Sequence, residues 1–286
     1  MLHDDANTKQ TLCVIVAKKN NHSYIMLQIT NTKVAGFDAR WDPFHGFSIL
    51  FNNPGDHCLQ QRRSGILDLA NDISSDSALY FYKILYEGVT HLDINYLTNN
   101  FLFCALPSNA YHVTLWGGLN YRHLTQVNSK YRSMAEKWLS GLPESVWDAS
   151  NDLLQLPATS PLCTNCNWDV DFRFDGLKLW NNSVLVAALC PDANSVSVFK
   201  QLTEERYQLS KKFHDRFGVV TDSEIYRPHV SLGYFANEEG AQKASNFVDD
   251  WNRWFSDALQ DSVLSFKNAS IYGLTDMVSF FKATGK

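Results

Sequence analysis

Residues 112–115 read His-Val-Thr-Leu and residues 229–232 read His-Val-Ser-Leu, one pattern of histidine, apolar, hydroxyl and apolar met twice. Successive side chains of an extended strand alternate between its two faces. His112 and Thr114 therefore point one way and Val113 and Leu115 the other; His229 and Ser231 divide from Val230 and Leu232 in the same manner. Each segment offers an imidazole and a hydroxyl on an open face, with an apolar face behind it. Among nine histidines, two occurrences by chance have a probability on the order of one per cent. A near-match at His123-Leu124-Thr125 breaks at Gln126, so a single occurrence carries little.

The elements around the first motif follow from periodicity and breakers. Phe47 to Phe51 reads as a strand, closed by Asn52-Asn53-Pro54-Gly55, and 59–71 and 76–87 read as helices, the second with an apolar stripe of Leu79, Tyr82, Ile84 and Leu85. The apolar run 101–106 reads as a buried strand ended by Pro107. A strand over 111–115, Gly117-Gly118 and a helix over 129–140 follow. The stretch 141–168, rich in Pro, Ser, Asn and Asp, is the expected boundary between two halves of similar size.

Beyond it, strands at 170–180 and 183–189 flank Asn181-Asn182, a two-residue hairpin signal. A helix over 194–217 stops at Gly218. A strand over 227–235, a helix over 238–255 and strands over 263–272 and 277–282 close the chain. Near the N-terminus, 11–30 reads as a hairpin turning at KKNNH. The expected fold is α+β, one bilobal domain over 1–286. It has a strand-rich elaboration at 1–70, a first lobe at 71–160 bearing His112 and a second at 161–286 bearing His229.

Composition narrows the function classes. With 286 residues, 45% of them hydrophobic, and 14 Gly and 8 Pro, the chain has the makings of a packed core and is no low-complexity polymer. Thirty acidic against 25 basic residues give a net charge of −5, leaving no global field to draw in long duplex nucleic acid. A local pocket of a few donors still suffices for one phosphate. No apolar run is long enough to span a membrane, and MLHDDANTKQ lacks the basic and apolar regions of a secretory signal. Six cysteines, several in strand-like apolar runs, fit a reducing compartment, so a cytoplasmic location is expected.

Two such motif faces turned toward each other would suit metal-independent cleavage of a phosphodiester. A neutral imidazole takes a proton from water or a ribose hydroxyl, and a protonated one gives a proton to the departing oxygen. The chain resembles the 2H phosphoesterase superfamily, whose signature is two His-apolar-Thr/Ser-apolar motifs in two pseudo-symmetric lobes. The resemblance covers roughly residues 75 to 286. It implies two lobes of antiparallel sheet around a central cleft, with helices on the outer faces. It also implies hydrolysis of a cyclic phosphate or of particular linkages of nucleotides and short RNA, with no metal and no cofactor. Carried over to this sequence, His112 and His229 act as acid and base, and Thr114 and Ser231 bind phosphate. The motifs lie 117 residues apart, wider than in compact members, and the first 70 residues have no counterpart in the minimal fold.

Aromatic and basic residues bracket both motifs. Arg227 shares the parity of His229, Trp116 shares that of His112 and Thr114 at the cleft edge, and Tyr111 and Tyr234 are candidates for base stacking. Lys178 and Trp180 end a strand of the hairpin, where a solvated lysine and a packed tryptophan are the simpler reading. Cys163-Thr-Asn-Cys166 lacks the second half of a zinc site, so loop cysteines are expected there. No phosphate-binding loop, dinucleotide fingerprint, nucleophile elbow or His-Glu-x-x-His occurs. The expected partner is a nucleotide or short oligonucleotide substrate; a protein partner of the N-terminal region stays unidentified. The alternative function is a pocket that binds or sequesters a nucleotide on the same fold without turning it over.

Overall fold

A computed structural model of the chain describes residue 31 and residues 41–53, 77–148, 151–221 and 225–283. The expected hairpin at 11–30 and helix at 59–71 lie outside the described residues. The fold is α+β, with two antiparallel sheets and helices packed around them. The first sheet runs β3 (Thr114–Asn120), β1 (Gly46–Phe51), β8 (Ala269–Leu274), β9 (Phe280–Lys282). The second runs β2 (Phe103–Ala105), β6 (His229–Phe235), β5 (Val184–Pro191), β4 (Val170–Trp180), β7 (Leu264–Phe266).

Neither sheet respects the expected division at 141–168. The first takes β8 and β9 from the far end of the chain, and the second takes β2 from the near half. The strand at 46–51, expected within an N-terminal elaboration, lies inside the first sheet between β3 and β8. Antiparallel pairing joins strands by register and face, whatever their separation along the chain. The stretch 141–168 is itself packed. It holds a short 3-10 turn (Glu144–Trp147), α4 (Asp152–Ala158) and α5 (Pro161–Thr164), and it buries Val146, Leu153, Leu154, Leu162 and Trp168. Helices this short never complete the periodicity by which a sequence announces them.

The remaining helices are α1 (Tyr80–His91), α2 (Ile94–Phe101), α3 (Ser129–Ser140), α6 (Val196–Phe217), α7 (Glu238–Ser245) and α8 (Val248–Leu259). The α6 stop is the expected one, with Gly218 left-handed at φ 81°. Asn181 and Asn182 take φ of 52° and 45°, as a tight hairpin turn requires. The single helix expected over 238–255 is two, because the chain bends at Asn246-Phe247 and sets Phe247 and Trp251 against Phe101, at centroid distances of 5.5 and 5.6 Å. Among the described residues no helix is long and apolar enough to cross a membrane.

One core serves both sheets. Phe47 of β1, Trp116 of β3, Trp138 of α3 and Phe213 of α6 meet with centroids 5.3 to 6.2 Å apart, covering one face of the first sheet. Phe51 of the first sheet stacks at 4.6 Å on Phe266 of the second. On the second sheet, α8 lays Phe255 over Phe174 of β4. With the helices on these faces, the opposite face of the first sheet is left to line a groove.

Where β2 meets β6, Gly233 admits the ring of Phe103. A Cβ there would stand 2.3 Å from that ring and 2.5 Å from the Cys104 carbonyl oxygen. Gly233→Ala is expected to cost about 1–3 kcal/mol through forced repacking, seen as a lowered Tm. An unchanged Tm would show that β2 yields freely.

Candidate active site

The two histidine motifs meet at one point. Val113 and Val230 form an isolated antiparallel bridge that links the lead-in of β3 to β6. Alternation on either side of that bridge turns the histidine and the hydroxyl of each motif away from its buried valine. The valines of both motifs are fully buried, whereas both histidines and both hydroxyl residues are half-buried. All four of these side chains line one cavity of about 190 Å³, with Ser48, Leu50, Leu106, Tyr234, Phe280 and others. The bridge thus brings both imidazoles and both hydroxyls to one cavity.

The histidines are held alike. The His112 Nδ1 donates to the Ala110 carbonyl at 2.7 Å, and the His229 Nδ1 donates to the Arg227 carbonyl at 2.9 Å. A carbonyl only accepts, so Nδ1 carries the hydrogen in both rings and Nε2 is the nitrogen that gains or loses a proton. Each ring also rests on an aromatic: His112 on Phe280 at 4.7 Å, and His229 edge-on to Trp180 at 4.5 Å. The likeness therefore extends from the motif residues to the groups that orient them.

Each motif carries a β-bulge just past its hydroxyl. In β3, Ile49 pairs with Trp116 but Leu50 pairs with Thr114, which leaves Leu115 extra. In β6, Leu185 pairs with Gly233 but Val186 pairs with Ser231, which leaves Leu232 extra. A bulge inserts one residue and so inverts the facing of whatever follows it. Trp116 is thereby a correction: instead of reaching the cleft edge it is 0% exposed, with its indole nitrogen donating to the Ser210 hydroxyl at 2.9 Å. The same inversion after Leu232 brings Tyr234 round to line the cavity.

Tyr111 is a second correction. It is 0% exposed, beside Tyr82 on the face away from His112, and burial holds its hydroxyl well above the usual tyrosine range. No base reaches that ring. Arg227 is exposed, and the contact it makes at the site is through its carbonyl to His229. Lys178 pairs with Asp175, while Trp180, read as packed, is the ring beside His229.

Sequence reasoning missed Ser48, whose hydroxyl-bearing side chain reaches the cavity from β1, and the clamp behind Thr114. The Tyr226 hydroxyl, from the lead-in to the second motif, donates to the Thr114 carbonyl at 3.0 Å. Arg206 of α6, 4% exposed, lays its guanidinium 4.1 Å from the Tyr226 ring centroid and donates from Nε to the carbonyl of the bulged Leu115. The lead-in of one motif thus fixes the backbone of the other. An arginine ten residues into a helix announces none of this in sequence.

The described lining carries no carboxylate, and among the described residues no group of three His, Cys, Asp or Glu side chains is arranged to hold a metal ion. Cys163 and Cys166 are free thiols. Burial pushes the Cys163 thiol up to about 12, although a hydrogen bond with Ser160 pulls the other way. Cys166 is exposed. Alkylation by iodoacetamide at pH 8 is expected at Cys166 and not at Cys163 in the folded protein, since the thiolate is the reacting species. Equal labelling by mass spectrometry would contradict that burial.

No protein-family model matches the chain, and no curated protein matches its sequence. Among solved structures, a conserved protein of unknown function from Agrobacterium tumefaciens is similar, with a TM-score of 0.52 and 14% identity, over 88% of this chain and 90% of that one. At that identity the likeness is one of fold.

Proposed function

We propose that this chain is a phosphodiesterase of the 2H type. It hydrolyses a cyclic phosphate or a 2′,5′- or 3′,5′-linked phosphodiester of a nucleotide or short oligonucleotide, using His112 and His229 and no metal. The observation that carries this reading is the Val113–Val230 bridge, which gathers two imidazoles and two hydroxyls on one face and lines one cavity with them.

The chemistry follows from the atoms present. The Nε2 of one neutral imidazole takes the proton of a water as that oxygen attacks phosphorus. The bond from phosphorus to the departing oxygen breaks, and the other imidazole, protonated, delivers its Nε2 proton there. Thr114 and Ser231 donate to the non-bridging oxygens, where charge gathers in the transition state. The apolar wall of Leu50, Leu106 and Phe280 limits water around those donors and strengthens them. Because Nδ1 of each ring is tied to a carbonyl, neither imidazole needs to change tautomer to act.

Turnover of a linkage panel tests the proposal: 2′,3′-cyclic mononucleotides, 2′,5′- and 3′,5′-dinucleotides, cyclic dinucleotides and cyclic trinucleotides, each with a chelator present. At least one class is expected to be hydrolysed. Its rate should trace a bell against pH, rising as one imidazole becomes neutral and falling as the other loses its proton. Tight binding of a nucleotide without product over hours would instead select a sequestering protein, and activity lost to chelator would point to a metal.

A further inference from the structure

The cavity does not end at the histidines. Its lining follows one face of β1 from Leu50, beside Thr114, through Ser48 toward Phe44. From Leu50 to Gly46 alone that is roughly 13 Å of strand, more than a single phosphate occupies. Leu274 and Met277 wall the same stretch from β8 and the turn after it.

At the far end stands a preassembled cluster. Phe44 meets Tyr121 edge-on at 5.4 Å, and the Arg122 guanidinium lies 5.5 Å from the Phe44 centroid and 5.9 Å from that of Tyr121. The backbone beneath it is pinned. The Phe44 amide donates to the Thr275 carbonyl at 2.8 Å, the Tyr121 amide to the His45 carbonyl at 3.0 Å, and the Arg122 amide to the Asn120 side chain at 3.0 Å. Among the described residues Arg122 has no carboxylate partner; its Nε contacts the Tyr121 hydroxyl at 3.5 Å. Asp276, in the adjoining turn, is engaged there, accepting from the Val278 amide and the Ser279 hydroxyl. Tyr121 keeps 38% of its surface exposed.

Resting on the phosphodiesterase reading, we infer that Phe44, Tyr121 and Arg122 form a second subsite for the nucleotide that flanks the scissile phosphate, so that the preferred substrate is a short single-stranded oligonucleotide. Arg122 takes the flanking phosphate as a charge-assisted donor. The Tyr121 ring offers a face on which a base stacks with little regard to its identity. Phe44, shared by the groove wall and the cluster, joins the two subsites.

Binding of 5′-fluorescein-labelled oligouridylates of one to four nucleotides, followed by anisotropy in the His112→Ala/His229→Ala chain, tests this without turnover. Affinity is expected to rise at least about tenfold between one nucleotide and three. Arg122→Gln should remove most of that gain and flatten the plot of log affinity against log salt by about 0.7, the share of one phosphate on a single strand. Arg122→Lys should restore the salt slope. Affinity independent of length, or a gain that survives Arg122→Gln, overturns the subsite. Wild-type turnover on the linkage panel is read separately, so Arg122-dependent binding without hydrolysis would sink the enzymatic reading and leave the subsite standing.

Discussion

His112→Ala and His229→Ala are each expected to lower kcat by about 10²–10⁴-fold, the range that a positioned general acid or base supplies. Both rings are half-buried at the surface of a cavity rather than within the core. Among the contacts each substitution removes are a hydrogen bond to a carbonyl two residues away and an aromatic contact, to Phe280 or Trp180. Tm should therefore fall little, which separates lost catalysis from lost folding. Each single variant should also lose one limb of the pH bell, because only one imidazole is left to titrate. Which limb goes with which substitution assigns base and acid. The double variant should be scarcely slower than the worse single one, since the two residues act as a unit. Wild-type turnover in either single variant, on the substrate that the native chain cleaves best, defeats the paired-histidine mechanism.

Thr114→Val and Ser231→Ala should each reduce kcat on the order of 10²-fold, with KM moving far less, if the hydroxyls hold charge that develops only in the transition state. Valine keeps the β-branched shape of Thr114, so the strand beside the bulge is undisturbed. Because the two hydroxyls hold the same place in their motifs on either side of the Val113–Val230 bridge and line one cavity, they are near equivalents. A large effect at one and none at the other would mean that phosphate sits toward one motif. A rise in KM with kcat unchanged would assign them to ground-state binding alone.

Several elements were legible because local rules suffice for them. The helix Ser129–Ser140 carries its own periodicity, Gly218 supplies the left-handed residue that ends α6, and Asn181-Asn182 supplies the turn that sets β4 against β5. Ile94–Phe101 escaped notice because it is only eight residues long and half of them are polar, and it ends on Leu102, a left-handed residue that is not glycine. Single positions within the motifs were harder. Strand parity put Trp116 in the cleft, and one extra residue at Leu115 turned it into the core; nothing in the two tetrapeptides signals where a bulge falls.

The amino-acid order by itself determined the repeated motif, the α+β class and the facing of histidine with hydroxyl inside each tetrapeptide, because alternation along a strand is a property of the backbone and needs no partner. Only the tertiary structure decided that β1, β8 and β9 share a sheet with β3, that two bulges reassign Trp116 and Tyr234, and that Arg206 and Tyr226 brace Thr114. Those outcomes depend on which strands pair and in what register. Pairing is chosen by the burial of whole faces against one another, a property of segments far apart in the chain that no local window contains.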